Sequence, residues 1–442
     1  MASAAEQLAA NMSWSAFGKA KDLQSRILFT LGILIVYRFG TYLPLPGIDP
    51  VRVADLLEQY RGGILDIFNT FGGGAISRMS IFALGIMPYI SASIIMQLMT
   101  SMVPTLEKMK KEGEQGRKKI NQWTRYGTVI LATLQGWGIA AGLNSSVASE
   151  PSAFFIVTTV ISLVGGTVLL MWLGEQITAR CIGNGISLII FAGIVAELPG
   201  AIAQTLALGS EGRISTAIIL AIIIMAFATI AFVVFMERAQ RRILIQYPKR
   251  QVNQQQMVGG ESSHLPLKVN TAGVIPPIFA SSLLLLPLTV ASFSSAGGPE
   301  WLTTVTAYLG RGQPAYLALY VAGIVFFAFF YTAVVFNPEE VSENLKRHGG
   351  FVPGIRPGKR TAEYLDYVLT RLTVVGAAYL ALVCLLPEIL TANWQVPFYF
   401  GGTSLLIVVS VTMDTVSQIQ SHLLAHQYEG LIQRSKLRGK KR

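Results

Sequence analysis

The sequence predicts an all-α polytopic membrane protein with ten transmembrane helices in two inverted five-helix halves. Three observations lead to this fold class: the composition, a series of apolar stretches of membrane-spanning length, and a short motif that recurs five spans later. Of the 442 residues, 52% are hydrophobic and 13% are charged, whereas about a quarter of the residues of an ordinary soluble protein are charged. We therefore interpret the chain as one membrane body with halves at residues 1–209 and 210–442.

Ten stretches are apolar enough, and long enough, for a helix to cross about 30 Å of hydrocarbon, which takes about 20 residues. In chain order, the predicted spans are residues 27–43, 77–99, 126–143, 154–173, 185–206, 214–236, 272–293, 315–336, 372–390 and 400–418.

The positive charges predict the orientation, because Lys and Arg near the ends of spans are retained on the cytoplasmic side. With the N-terminus inside, 29 of the 35 Lys and Arg residues fall in cytoplasmic segments. Both termini are therefore predicted to be cytoplasmic. Residues 1–26 contain no apolar core followed by a small-residue cleavage site, so we expect no cleavable signal peptide there.

Two predicted cytoplasmic connections, residues 237–271 and 337–371, are longer than the topology requires, and both are rich in Lys and Arg. One interpretation is that their charge only fixes the orientation of the neighbouring spans. The other is that they are docking surfaces for an acidic or RNA-containing partner. The charge pattern leaves both interpretations open.

Residues 61–74, RGGILDIFNTFGGG, form a segment between the first two spans that is too short to cross a membrane. Its apolar residues follow a helical pattern, and the glycines at its end predict a flexible joint, since glycine adopts backbone angles that other residues avoid. We predict an outer-side half-helix that folds back into a cavity. An amphipathic helix on the outer interface is the alternative.

A nine-residue motif, GxxPxIxAS, occurs at residues 85–93 in span two and at residues 273–281 in span seven. Five spans separate the copies, and because five is odd they cross the membrane in opposite directions. This is the arrangement expected of an inverted repeat. Proline within a span removes a backbone donor, so we expect Pro88 and Pro276 to loosen the helices at these turns.

Few ionisable groups fall within the predicted spans, and the clear ones are Arg38, Glu197 and Asp414. We interpret Arg38 as a side chain that extends to the outer interface, and Glu197 as a mark of the place where span five frays. Ion-coupled transporters carry more intramembrane charge. A secondary transporter is therefore disfavoured, although the inverted repeat keeps it open as an alternative.

The sequence contains no nucleotide-binding, nucleophile or metal-ligating motif. Its two cysteines, Cys181 and Cys384, have neither metal nor disulfide spacing. We therefore expect no enzymatic activity, no catalytic residues, no cofactor and no metal.

Several segments of the chain resemble bacterial members of the SecY/Sec61-alpha family. They are SIFALGIMPYISASIIMQL (80–98), PTLEKMKKEGEQGRKKINQWTRYGT (104–128), MWLGEQIT (171–178), IGNGIS (182–187), HLPLKVN (264–270), FVPGIRPGKRT (351–361) and VPFYFGGTSLLIVV (396–409). The resemblance covers nearly the whole chain. It implies an hourglass-shaped channel of the bacterial inner membrane, with a central pore between the halves and a lateral opening where span two meets spans seven and eight.

The resemblance also implies roles for individual residues. A ring of apolar side chains at the constriction would consist of Ile86, Ile90, Ile186, Ile189, Ile278 and Ile407. Such a ring disfavours water and ions by dewetting. The segment 61–74 would be a plug, with sealing residues Ile64, Leu65, Asp66, Ile67, Phe68 and Asn69 and a hinge at Gly72, Gly73 and Gly74. Glu197 departs from the small residue that the family pattern leads us to expect.

Partners follow from the same resemblance. Docking of the SecA motor ATPase or the ribosome is implied at Lys249, Arg250, Arg356, Lys359 and Arg360, and lateral-gate contacts at Ser91, Gln97, Asn270 and Pro276. Further implied partners are the small membrane subunits SecE and SecG, precursor polypeptides with signal sequences, and membrane lipids. The implied function is translocation of unfolded secretory polypeptides and lateral release of transmembrane helices. A solute transporter and a ribosome-binding scaffold are the alternatives.

Overall fold

The computed structural model describes residues 21–49, 69, 72–146, 152–180, 183–211, 215–247, 250–253, 256–258, 262–294, 313–394 and 402–439. Its helices and strands are, in chain order, α1 (Lys21–Gly40), α2 (Met87–Met102), α3 (Pro104–Lys111), α4 (Glu114–Ser146), α5 (Ala153–Arg180), α6 (Gly185–Ser210), α7 (Thr216–Arg238), β1 (Gln240–Gln246), β2 (Arg250–Asn253), β3 (Gln256–Val258), β4 (Ser262–Lys268), α8 (Ile275–Ser294), α9 (Pro314–Val335), α10 (Pro338–Arg347), α11 (Lys359–Trp394) and α12 (Gly402–Gly439). Each of the ten predicted spans overlaps one of these helices.

The helices have the length and surface of membrane spans. Among the described residues, seven helices qualify by length and apolarity alone, and the pair α2 and α3, joined by a 98° bend, can count as an eighth. Large apolar side chains such as Leu28, Ile35, Phe227 and Phe235 are exposed on them. A helix that is apolar on its outer face is suited to lipid rather than water. The fold is therefore that of a polytopic helical membrane protein.

The chain divides into two compact units. The first comprises Met1–Met96, Lys110–Ala201 and Ile407–Arg442, and the second comprises Gln97–Met109 and Ile202–Leu406. The division into inverted halves at residue 209 stays a prediction.

In the first unit, α4 and α5 pack against each other in an antiparallel pair. Arg125 of α4 donates two hydrogen bonds of 2.8 Å to the carboxylate of Glu175 on α5. Further along, Gly136 faces Leu163, where a Cβ at Gly136 would make an ordinary contact of 3.7 Å with Leu163 Cβ. Small residues allow helix backbones to approach closely, as is common between membrane helices.

The structure differs from the predicted span two at its start. Residues 77–86 form turns, and α2 begins only at Met87. The turns exchange backbone hydrogen bonds with the chain after α1: Leu45 N donates to Met79 O at 2.9 Å, and Ile81 N donates to Leu43 O at 3.0 Å. Non-helical backbone among membrane spans is stable only where protein satisfies its polar groups. These bonds provide that satisfaction, which the apolar composition of residues 77–86 did not indicate.

Gly166 of α5 makes room for these turns. A Cβ at this position would overlap the carbonyl group of Ile81, whereas a Cβ at the neighbouring Gly165 would meet no atom within 4 Å. The absence of a side chain at Gly166 therefore lets α5 pack directly on the turn backbone.

In the second unit, the two long connections fold together. Strands β1 and β4 pair antiparallel from Gln240 opposite Lys268 to Gln246 opposite Ser262, and β2 pairs with β3. Gln246 also exchanges backbone hydrogen bonds of 2.9 and 3.0 Å with Phe351 of the other connection. An apolar cluster joins the two connections to α11; its buried members are Ile243, Leu267, Val352, Leu365 and Val368. We call β1, β4, α10 and residues 348–358 the loop body.

We expect Gly166→Ala to destabilise the protein, because the new methyl group overlaps backbone that cannot move independently. Overpacking of this kind costs about 1–3 kcal/mol of the free energy of unfolding. The matched control is Gly165→Ala, which meets no neighbour and gains up to about 1 kcal/mol in helix propensity. Thermal denaturation of the two purified variants compares them, and equal midpoints would contradict the packing of α5 on the turns.

Candidate functional site

The two copies of GxxPxIxAS have the same local backbone. Gly85 has a φ of +56° and Gly273 a φ of +63°. In each copy the helix begins two residues after this glycine, at Met87 in α2 and at Ile275 in α8, so proline is the second helical residue. Proline is tolerated in the first turn because the N–H it lacks would have no helical partner there. The expectation that these prolines loosen helices in mid-span is therefore wrong, since they lie at helix starts.

The isoleucines of the motif lie beside these helix starts. Ile86 and Ile90 are buried, and Ile90 N donates to Ile86 O at 3.1 Å, which continues the backbone bonding from the turns into α2. In the second copy, Ile278 is half-buried, and its carbonyl accepts a hydrogen bond of 3.0 Å from Ser281 Oγ.

The next two predicted ring residues lie at the start of α6. Ile186 is half-buried and Ile189 is buried, and both face Gly174 of α5, where a Cβ would lie 3.2 Å from Ile186 Cγ1 and 3.5 Å from Ile189 Cδ1. Ile407, the sixth predicted ring residue, is buried in α12. Ile278 belongs to the second unit and the other five to the first. The ring itself stays a prediction.

Polar side chains surround the glycines that end the predicted plug. Tyr37 Oη donates to Gly72 O at 3.2 Å, and Arg38 Nη1 donates to Gly73 O at 2.6 Å. Arg78 Nη1 donates to Gly73 O at 3.2 Å and to Gly74 O at 3.3 Å. We call Gly72, Gly73 and Gly74 the triglycine segment. Its carbonyls are all bound by side chains of the first unit.

This segment requires glycine for two reasons: its backbone adopts left-handed angles, and neighbouring atoms leave no room for a side chain. Gly73 and Gly74 have φ values of +64° and +78°, which disfavour any side chain. A Cβ at Gly73 would lie 2.9 Å from the Cα of Gly193 on α6, and a Cβ at Gly74 would overlap the Glu197 carboxylate. In this conformation the glycines serve close packing on α6, while their role as a hinge stays a prediction.

Glu197 lies next to both arginines. Its Oε1 is 3.6 Å from Arg78 Nη2 and 3.9 Å from Arg38 Nη2. Helix α6 continues past Glu197 through Pro199 to Ser210, so the interpretation of Glu197 as a mark of fraying is wrong. Arg38 is likewise bound to the protein rather than simply extended to an interface. Sequence reasoning did not associate these residues, because they lie on three separate segments of the chain.

Most of the predicted plug lies outside the described residues: Ile64, Leu65, Asp66, Ile67 and Phe68. Its last residue, Asn69, is described and bonds to the turns that follow. Asn69 O accepts from Gly74 N at 2.9 Å, and Asn69 Oδ1 accepts from Ser77 N at 2.9 Å. Asn69 therefore anchors the chain on the N-terminal side of the triglycine segment.

The four predicted lateral-gate residues have different surroundings. Ser91 and Pro276 are buried, and Gln97 is half-buried. The buried Asn270 donates from Nδ2 to Glu237 Oε1 at 2.6 Å and to Gly273 O at 3.0 Å. Asn270 thus connects the end of α7 to the left-handed glycine that precedes α8. Gate roles for these four residues stay predictions.

Of the predicted docking residues, Arg356 lies in the loop body, and Lys359 and Arg360 begin the adjacent helix α11. Arg356, Lys359 and Arg360 are exposed; Lys249 lies outside the described residues, and Arg250 begins β2. Arg356 stands between Gly354 and Gly358, whose φ values are +82° and +101°. Ser342 Oγ donates to Gly358 O at 2.6 Å, and Thr361 Oγ1 donates to Arg356 O at 2.9 Å. These bonds present Arg356 on a fixed turn. Within the described part of the chain, no group of three or more His, Cys, Asp or Glu residues is placed to hold a metal ion.

Comparison with known proteins identifies the family of this chain. A family model described as SecY matches residues 80–416. The chain is 56% identical over 431 residues to the protein translocase subunit SecY of Escherichia coli strain K12, covering 96% of this chain and 97% of that protein. It is 54% identical over 433 residues to the protein of the same name from Vibrio cholerae, covering 96% and 97% of the two chains.

Solved structures show the same fold. One, described as the structure of a protein conducting channel, superposes with a TM-score of 0.62 at 18% identity and covers 88% of this chain and 90% of its own. Sec61 in the canine ribosome-channel complex from the endoplasmic reticulum gives a TM-score of 0.58 at 17% identity, covering 88% and 90%. The fold is thus one that this chain shares with protein-conducting channels. The chain belongs to the SecY family of protein translocase subunits.

We expect Gly85→Ala and Gly273→Ala each to cost about 1–2 kcal/mol, the penalty for a side chain in the left-handed region. Neither new methyl group meets an atom closer than 3.8 Å, so the cost is purely conformational. Gly32→Ala, in α1 with nothing within 4 Å and no left-handed backbone, is the matched control. Denaturation midpoints of the purified variants measure the cost; wild-type stability in both motif variants would contradict the shared helix start.

Proposed function

We propose that this chain is a passive conduit through which a partner pushes an unfolded secretory polypeptide from the cytoplasm, with signal and transmembrane helices leaving sideways into lipid. The observation that carries the proposal is the repeated helix start at Gly85 and Gly273, in a chain of the SecY family. Each copy places isoleucines close in the chain to a left-handed glycine and a helix start. Apolar side chains at a constriction disfavour ions without binding a passing polypeptide.

The chain itself performs no chemistry under this proposal, so the energy comes from a partner. The SecA motor or a translating ribosome docks on the loop body, which is cytoplasmic together with both termini. Support comes from the exposed Arg356, Lys359 and Arg360 on a structured surface, because exposed cationic clusters attract acidic proteins and RNA. SecE and SecG complete the complex in the bacterial inner membrane. The residues 61–74 act as the plug.

We expect serine substitution of Ile86, Ile90 and Ile278 together to raise the ion leak of vesicles that contain the reconstituted complex. Hydroxyl groups at the constriction favour water, which removes the dewetting barrier. The matched control is Ile95→Ser, which changes an exposed isoleucine on the same helix α2. An unchanged leak in the triple variant would contradict the ring assignment.

Charge reversal tests the docking surface. We expect Arg356→Glu to abolish motor-driven export of a precursor while the folded protein persists, because the rigid turn presents a repelling charge to the acidic partner. Arg180→Glu is the control, since Arg180 is exposed at the end of α5 and lies outside the loop body. Export assays with inverted vesicles measure the effect. Normal export by the Arg356 variant would show that docking lies elsewhere.

A further inference from the structure

The arginines at the triglycine segment form an arrangement that is unstable without a counter-charge. Arg38 and Arg78 donate to the same oxygen, Gly73 O, at 2.6 and 3.2 Å, so the two guanidinium groups are close neighbours. Both also stack on Tyr42, with 5.0 and 4.3 Å between the guanidinium carbon and the ring centroid. Two guanidinium groups bound to one oxygen atom repel each other, and their repulsion grows as water is excluded from the site.

Glu197 supplies the opposite charge. Its Oε1 is buried, faces both arginines and accepts no hydrogen bond from any residue that the structure describes. Its interaction with the arginines is therefore ionic. The side chains of Arg38, Arg78 and Glu197 are only 29%, 31% and 23% exposed, so water screens their interaction less than it screens a surface ion pair.

The same carboxylate touches the segment that the arginines hold. A Cβ at Gly74 would overlap Glu197 Oε1, so the carboxylate packs directly on the triglycine backbone. Glu197 is carried by α6, whereas Arg38 lies on α1 and Arg78 in the turns before α2. The ion cluster thus connects α6, α1 and the triglycine segment through charge.

We propose that Arg38, Arg78 and Glu197 form an electrostatic latch, in which Glu197 is the positioning residue that lets two arginines bind the triglycine carbonyls at once. The latch fixes the triglycine segment against α6 and thereby sets the resting ion permeability of the channel. The second part of this inference rests on the proposed function, in which residues 61–74 seal the channel.

Neutralising Glu197 has a specific consequence. In Glu197→Gln the two arginines lose their counter-charge and repel each other, so they no longer bind Gly73 O together. Arg78→Gln removes the repulsion and leaves Arg38 on Gly73 O. Glu197→Gln should therefore weaken the binding of the triglycine carbonyls more than Arg78→Gln does. In the double variant, Arg78→Gln should suppress the effect of Glu197→Gln. Independent sites would give additive effects.

The experiment compares the two single variants and the double variant in the full complex. Thermal denaturation of the purified complex measures the coupling, and ion leak from reconstituted vesicles measures permeability. We expect Glu197→Gln to raise the leak about fivefold to tenfold by shifting the resting equilibrium, and the double variant to return towards the wild type in both measurements. The matched control is the cycle of Arg125→Gln and Glu175→Gln, an ion pair of the same unit that does not touch the triglycine segment.

The outcomes separate this inference from the proposed function. Additive effects on the denaturation midpoint would overturn the latch, whatever the channel conducts. A leak that stays at the wild-type value in Glu197→Gln, while the ring variant leaks, would overturn the latch and leave the channel proposal intact. If the Arg125 and Glu175 variants raised the leak as much as Glu197→Gln does, the latch would also be overturned, because the loss of any ion pair would then be enough to raise the leak.

Discussion

Backbone polar groups among membrane spans must find hydrogen-bond partners within the protein, because hydrocarbon offers none. Residues 72–86 of this chain are not helical, so other residues of the first unit must bond their backbone N–H and C=O groups. Leu43 and Leu45 exchange backbone hydrogen bonds with the turns, and Tyr37, Arg38 and Arg78 bind the triglycine carbonyls. Non-helical backbone can therefore persist in a region whose composition is that of an ordinary span.

Two kinds of glycine make this arrangement possible. Gly73, Gly74 and Gly85 adopt left-handed backbone angles within the segment, while Gly166 and Gly193 on neighbouring helices provide the space into which the segment packs. Among the described residues, charge supplements this packing where Glu197 faces two arginines. A protein-conducting channel needs a closed state that is stable yet yields to a pushed polypeptide. Under the proposed function, polar bonds to a few carbonyls are suited to this, since each can be replaced by hydrogen bonds to water.

The ten spans could be predicted from sequence because length and hydropathy report directly on the membrane. The start of span two could not, since residues 77–86 are as apolar as a helix, and only the left-handed Met79 and Gly85 and the external bonds show that they are turns. The β1 and β4 hairpin was missed because the alternation around Ile243 and Ile245 is short. The ion cluster was missed because Arg38, Arg78 and Glu197 are far apart in the chain. In the sequence, the only indication of this cluster was Glu197, a charged residue where the family pattern leads us to expect a small one.

The most direct test of this account is a nitroxide scan of residues 76–102 in lipid bilayers, with oxygen accessibility measured at one labelled position at a time. Uniformly low accessibility from Ile76 to Ile86 is expected, because most of these side chains are buried. From Met87 onwards the accessibility should follow a helical period of about 3.6 residues, with maxima at the exposed Ile95, Met99 and Met102. A helical period that continues unbroken from Ser77 would contradict the account, since span two would then be one continuous helix.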